Sequence, residues 1–386
     1  MIVTVTLDAA LDTAYRIGGP LLPGDRHQAT GPVERATGTG LNVSRLLARL
    51  GHRTTATGFV GGEGGERIRA RLAAEGGIVD AMVEISDSSR RTVSLVHALD
   101  ALEPGPWPLN GGRHGGYAGP LSGPGGWSPG PRPSGEWQTG SWQFADPAAG
   151  SGQGIGRTAL TVVDQYRPWI TEPEWRALLG TFEKLLTGAL AVALSTDSIS
   201  GWGCDPLVRA GLRRGVPVLL DVTTDVSRTL LTAPDIVLLD PDLALAGQEG
   251  GGYLPAIGPG GHPPRPVSRE VAIGQYATRL QQEGARTVVV PLGAGDLLGF
   301  TPEGIWRATG PVHPSATVSR EAVAAGLLSG LVEGISWPER IRRAVALSAV
   351  AMPPPAAGEF EPGAYQAYLP EVQLTRMAPV PGIGPR

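Results

Sequence analysis

The stretch Thr37-Gly38-Thr39-Gly40-Leu41-Asn42-Val43-Ser44-Arg45-Leu46-Leu47-Ala48-Arg49-Leu50-Gly51 decides the fold. Val43, Leu46, Leu47 and Leu50 recur at helical spacing, and a glycine directly after such a run is a natural C-cap. The spacing predicts a helix over 42–50, stopped at Gly51. The flanking runs 3–7 and 54–60 are rich in β-branched and apolar residues and read as strands. A second helix is predicted over 66–75, closed by Gly76-Gly77.

Further along, short apolar strands over 190–194, 216–220, 235–239 and 287–290 alternate with helices over 172–186, 205–213, 271–283, 321–333 and 339–352. Strands that alternate with amphipathic helices imply an α/β fold: a mostly parallel sheet covered on both faces, which the family resemblance given below implies is Rossmann-like. The strand-like runs within 11–35, 91–99 and 158–166 have no helices between them. They imply a small separate antiparallel sheet.

The chain has 386 residues, with 32 basic and 36 acidic side chains and a net charge of −4. That balance argues against nucleic acid or a membrane surface as partners held by bulk charge. The first residues have neither a basic n-region nor a long apolar h-region, and no run has the length of a membrane span, so a cytoplasmic protein is expected. Cys204 is the lone cysteine, which excludes an internal disulfide and a cysteine-rich zinc site. Lys184 is the only lysine.

Residues 101–155 are dominated by Gly, Pro, Ser and Trp, and include Trp107, Trp127, Trp137 and Trp142. A segment of this composition cannot bury enough apolar surface to order itself, so a disordered insertion is expected. The competing reading is a docking segment whose tryptophans anchor on a protein partner. A second Gly/Pro-rich loop covers 250–267.

Taken in order, these pieces resemble the PfkB-type, ribokinase-like carbohydrate kinases, and most of all the 1-phosphofructokinase and tagatose-6-phosphate kinase subgroup. Thr6-Leu7-Asp8-Ala9-Ala10-Leu11-Asp12 is similar to T-L-N-P-A-L-D, and Thr37–Arg45 to G-G-K-G-x-N-V-A-R. Gly58-Phe59-Val60-Gly61-Gly62-Glu63-Gly64-Gly65 is similar to G-F-x-G-G-x-x-G. Ser89-Arg90-Arg91-Thr92 resembles T-R-T-N, and Pro291-Leu292-Gly293-Ala294 resembles S-L-G-A. The resemblance implies one kinase domain over 1–374, with lid strands within 11–35, 88–100 and 156–168. It makes 101–155 a lengthened lid loop and 375–386 a loose tail. It also implies phosphorylation of a sugar phosphate with ATP and Mg²⁺, and a homodimer through the lid.

By the same resemblance Asp12, Gly38, Gly40 and Asn42 hold the sugar. Arg90 and Arg26 hold its phosphate, and Leu292, Gly293, Ala294 and Ser319 meet the nucleotide. Glu321 stands where the family has the catalytic Asp of G-A-G-D, with Arg320 beside it as a substitute cation. No residue is assigned to a metal. The transfer motif departs from the pattern: Val318-Ser319-Arg320-Glu321 replaces both glycines and the aspartate. Thr39 replaces a lysine and Asp8 an asparagine. A bare glycine backbone can approach a phosphate where side chains cannot. Three functions follow: a sugar-phosphate kinase, a pseudokinase that binds a sugar phosphate or nucleotide as a sensor, and an interaction protein acting through 101–155.

Overall fold

The structure is a computed structural model and describes residues 1–22, 24–98, 142–145, 157–196, 203–223, 233–250, 268–293, 295–311, 318–353 and 356–378. Most of the 101–155 segment, the 251–267 loop, Ala294 and the tail from 379 lie outside these residues.

The chain divides into two compact units. The larger comprises 1–14, 32–94 and 164–386. Its sheet is built from β1 (Ile2–Thr6), β4 (Thr54–Gly61), β5 (Ile78–Asp80), β6 (Val83–Ile85), β10 (Ala191–Ser195), β11 (Val218–Val222), β12 (Ile236–Leu239), β13 (Thr287–Gly293), β14 (Asp296–Thr301), β15 (Gly304–Thr309) and β16 (Gln373–Met377). The order is β16-β15-β14-β13-β12-β11-β10-β1-β4-β5, with β6 also pairing β4. From β13 to β5 neighbouring strands run parallel, while β14, β15 and β16 add an antiparallel edge.

The helices are α1 (Thr39–Arg49), α2 (Gly62–Glu75), α3 (Glu172–Leu185), α4 (Asp205–Arg213), α5 (Pro241–Gly250), α6 (Arg269–Gln282), α7 (Arg320–Val332), α8 (Trp337–Val350) and α9 (Pro362–Tyr368). Both faces of the sheet are buried. Val192, Leu194, Val218 and Leu220 pack with Leu178 and Phe182 of α3 and Leu207 of α4. The alternate residues Ala191, Ala193 and Leu219 pack with Leu46 and Leu47 of α1 and with α7 and α8. Continuous apolar strand runs are what two-sided burial requires. Among the described residues no helix is long and apolar enough to cross a membrane.

The second sheet has the order β3-β2-β7-β9-β8, from β2 (Ala10–Arg16), β3 (Val33–Thr37), β7 (Arg90–Ala98), β8 (Trp142–Ala145) and β9 (Arg157–Asp164). The smaller unit, 15–31 and 95–163, holds β8, nearly all of β9 and the ends of β2 and β7. Within it the Ile17 N–H donates to the Val96 carbonyl at 2.8 Å, and His97 Nε2 meets Thr161 Oγ1 at 3.1 Å.

Two boundaries differ from expectation. Residues 375–377, expected to belong to a loose tail, are part of a strand, Gln373–Met377, that pairs with β15 along its whole length. The β14–β15 hairpin was not read as strands; its residues Leu297, Leu298, Phe300 and Ala308 are buried by this pairing with the sheet edge.

Gly326 shows how closely the covering helices pack. A Cβ there would lie 2.6 Å from Ala344 Cα and 2.8 Å from Ala344 N, both backbone atoms of α8. Gly326→Ala is expected to cost about 1–3 kcal/mol by forcing α7 and α8 apart. Urea unfolding with an unchanged m-value checks this.

Candidate functional site

In open α/β sheets, ligands sit beyond the carboxyl ends of the strands. Here that edge carries Thr6 at the end of β1 and Asp8 after it, Ser195 on β10, Asp221 and Val222 on β11, and Asp240 after β12. The starts of α1 and α7 face it.

α1 begins at Gly38, whose φ of 137° lies outside what side-chain-bearing residues adopt easily. A Cβ on Gly40 would strike the Val5 carbonyl and Thr6 Oγ1. Both glycines therefore let the helix start press against β1. This close approach leaves an open pocket of about 480 Å³ lined by Val5, Thr6, Leu7, Asp8, Gly38, Thr39, Gly40, Arg90, Arg167 and Ser195. Thr6 Oγ1 is buried in the pocket wall without a hydrogen-bond partner among the described residues.

Asp8 is buried and takes two arginines: Arg90 Nε at 3.2 Å on Oδ1 and Arg167 Nε at 3.0 Å on Oδ2. The other arm of Arg90 pairs with Asp164. The charge added by Asp8 is thus matched by cations on the same pocket. Asp12 is also buried. It accepts from Ser94 Oγ at 2.9 Å and stands opposite Arg35 across β2 and β3. Burial pushes its carboxyl above the ordinary range, partly opposed by the Ser94 hydrogen bond.

Asn42 lies on α1 near the start of α7. Its Oδ1 accepts from Arg45 at 3.0 Å, and its Nδ2 donates to Glu321 Oε1 at 3.5 Å. Arg45 is buried, grips Glu75 through Nε at 2.6 Å and Nη2 at 2.8 Å, and so fixes which way the Asn42 amide faces.

Ser319 is the N-cap of α7. Its Oγ accepts from Ala322 N–H at 3.2 Å and donates to Glu321 Oε2 at 3.4 Å, while its own N–H donates to Ser348 Oγ at 3.1 Å. Both oxygens of Glu321 therefore have donors inside the protein. Arg320 turns away into the sheet end. It pairs with buried Asp221 and donates to the carbonyls of Val222 at 3.0 Å and Leu238 at 2.9 Å; Asp240 lies 3.7 Å away.

Residues 5–101 match the family described as pfkB family carbohydrate kinase. The chain carries the PfkB-type carbohydrate-kinase fold. A Staphylococcus aureus protein, provisionally described as a phosphofructokinase, superposes at a TM-score of 0.67 with 18% identity over 98% of this chain and 99% of that one. Escherichia coli phosphofructokinase-2, solved with substrates and products, gives 0.67 with 19% identity over 96% and 98%. A carbohydrate kinase from Agrobacterium tumefaciens gives 0.57 with 13% identity over 97% and 99%.

Within this PfkB-type fold, Asp8, Gly38, Gly40 and Arg90 meet at the pocket, and Asn42, Ser319 and Glu321 meet at the start of α7. Arg26 lies exposed in the smaller unit, and Ala294 falls outside the described residues. Leu292 and Gly293 end β13 before the turn into β14; Asp296 there pairs with Arg307 at 2.6 Å. Arg167, Asp221 and Thr6 were not singled out from sequence. Asp221 had a signal, a carboxylate inside the apolar run 218–222, whereas Arg167 had none.

The resemblance implies ATP with Mg²⁺. The start of α7 differs from a bare glycine cradle for a phosphoryl group. The amides of Ser319 and Ala322 are engaged inward, Arg320 is committed to Asp221, and Glu321 adds negative charge. Among the described residues no cluster of three or more His, Cys, Asp or Glu side chains could hold a metal. Mg²⁺ commonly needs only one or two carboxylates beside phosphates.

Two outcomes follow. Arg320→Met strips buried Asp221 of its cation and is expected to cost about 3–5 kcal/mol in urea unfolding, with Arg320→Lys intermediate. For Asp12, a carboxyl raised in the folded state favours folding most below its unfolded value, and that contribution is lost as pH rises through the folded value. Asp12→Asn is therefore expected to be more stable than wild type at pH 7, with the difference closing toward pH 3. Denaturation midpoints at the two pH values read this.

Proposed function

We propose that this protein binds a sugar phosphate in the pocket beside β1 and α1, and that phosphoryl transfer is lost or vestigial. The observation that carries this is that, at the start of α7, the Ser319 and Ala322 amides and the Arg320 side chain are engaged within the protein. A transferring site keeps donors directed at the place where negative charge develops. Here two amides and both oxygens of Glu321 are engaged within the protein. The pocket, by contrast, keeps polar and charged side chains around an open volume. The protein would then act as a ligand-responsive sensor or assembly partner.

The competing reading is a working ATP- and Mg²⁺-dependent sugar-phosphate kinase. It is supported by Glu321, which is oriented by Asn42 and Ser319 where the family's base stands.

Single-turnover mixtures with enzyme in excess, ATP, Mg²⁺ and fructose 1-phosphate, fructose 6-phosphate or tagatose 6-phosphate separate the two. The expected result is saturable sugar-phosphate binding by calorimetry with transfer below roughly 10⁻³ s⁻¹, against about 1–10³ s⁻¹ for ordinary enzymes. Transfer in the ordinary range that disappears in Glu321→Gln overturns the proposal.

A further inference from the structure

The pocket beside Asp8 lies at the carboxyl ends of the strands. A second cleft, with an open volume of about 660 Å³, lies at the opposite end of the same sheet, where β11, β12 and β13 begin. Three entering loops build it. Gly215, Val216 and Pro217 lead from α4 into β11, Ala233 and Asp235 precede β12, and Gly284 and Arg286 lead from α6 into β13. Leu212, Val216 and Pro217 give it apolar walls. None of the motifs that carry the resemblance includes these residues.

The backbone of this cleft is strained at one point. Among the described residues Ala233 is the one non-glycine residue with a positive φ, 55°. A side chain there crowds its own backbone, and strain of this kind gathers at ligand sites. Gly284 has a φ of 119°, and a Cβ on it would come within 2.7 Å of the Ala233 Cβ. The methyl of Ala233 has room only because residue 284 has none.

The polar groups decide what the cleft would take. Its carboxylate is engaged: Asp235 accepts from Arg286 Nη1 at 3.3 Å through Oδ1 and from the Val218 N–H at 3.0 Å through Oδ2. The helix ends nearby are engaged too. The carbonyls of Gly211 and Leu212 on α4 accept from the Val216 and Gly215 amides, and those of Leu280 and Gln281 on α6 from the Ala285 and Gly284 amides. A donor remains. Arg286 is 77% exposed, and among the described residues only its Nη1 has a side-chain partner. Its Nε and Nη2 form the fork edge that matches the two oxygens of a carboxylate.

We propose that this cleft is a second ligand site, for a small molecule that joins a carboxylate to an apolar body. The carboxylate takes Nε and Nη2 of Arg286, which Asp235 holds by Nη1, and the apolar body lies against Leu212, Val216 and Pro217. Ligand sites are typically concave and mostly apolar, with a few placed polar groups that fix orientation. The cleft stands apart from the pocket at Asp8, at the other end of the sheet, which suits an effector rather than the molecule bound there.

Phenylacetate and its neutral isostere phenylacetamide are the probes. NMR titration of the full chain at millimolar concentrations follows the amides of Gly215 and Gly284 and the Nε–H of Arg286. Saturable shifts of all three with phenylacetate are expected. Arg286→Gln should weaken phenylacetate binding by roughly fivefold or more, through loss of a charged hydrogen bond at an exposed site. Arg286→Lys, which keeps the charge but not the fork, should fall between. Phenylacetamide should bind wild type and Arg286→Gln alike, within about twofold, and more weakly than phenylacetate binds wild type. Circular dichroism checks that both variants fold; if either does not, the two probes on wild type decide. Absence of saturable shifts in wild type overturns the inference. So does equal phenylacetate affinity in Arg286→Gln, or equal affinity of the two probes for wild type. Each of these outcomes leaves the sugar-phosphate reading as it stands, since that reading concerns the other end of the sheet.

Discussion

Asp221 places a negative charge at the carboxyl end of a central strand, buried between neighbouring strands and under the start of α7. A carboxylate in that position is tolerated only with a cation and hydrogen bonds around it. Arg320 supplies both, and it also takes the strand-end carbonyls of Val222 and Leu238. Much of the site's form follows from this one neutralisation. Residue 320 cannot be glycine while Asp221 remains, so the helix start carries a side chain. The turn then carries Ser319 as its N-cap, whose Oγ takes the Ala322 N–H. The loss of a bare cradle and the gain of a buried ion pair are two views of one arrangement.

The same logic of paired change holds on the other side of the site. Asp8 stands where the resemblance expects a neutral amide, and the structure surrounds it with Arg90 and Arg167. Thr39 stands where a lysine is expected. Cation and anion have been redistributed around the pocket, with the positive charge now on the segment after β9. The glycines that shape the pocket, Gly38 and Gly40, keep their identities because their backbone geometry and their contact with β1 admit nothing larger.

Much of the fold was legible before any coordinates. The continuous apolar runs at 190–194, 216–220 and 287–290 announced strands buried on both faces, and the helix of 42–50 announced its own end at Gly51. The antiparallel edge was less legible, since β14, β15 and β16 acquire their order from pairing with one another. Asp12, Asn42, Gly38 and Gly40 could be picked out because their motifs are local in sequence. Arg167 could not, because its importance arises from contact with Asp8, 159 positions earlier, which no local pattern records. Arg320 was recognised as a cation at the helix start, but its commitment to Asp221 depends on how α7 and β11 lie together.

The edge strand β16 decides what margin the sheet presents at that side. It is short, its side chains Gln373, Thr375 and Arg376 are exposed, and it lies over the otherwise open hydrogen-bonding edge of β15. Without it the sheet would end in Ile305, Trp306 and Ala308, a flatter and more apolar margin. Such a margin offers unpaired backbone groups to any passing strand, whereas a brief polar strand offers a poor template. The sheet therefore ends, at β16, in a margin that offers another chain little to pair with, independent of whatever occupies the pocket at the strand ends.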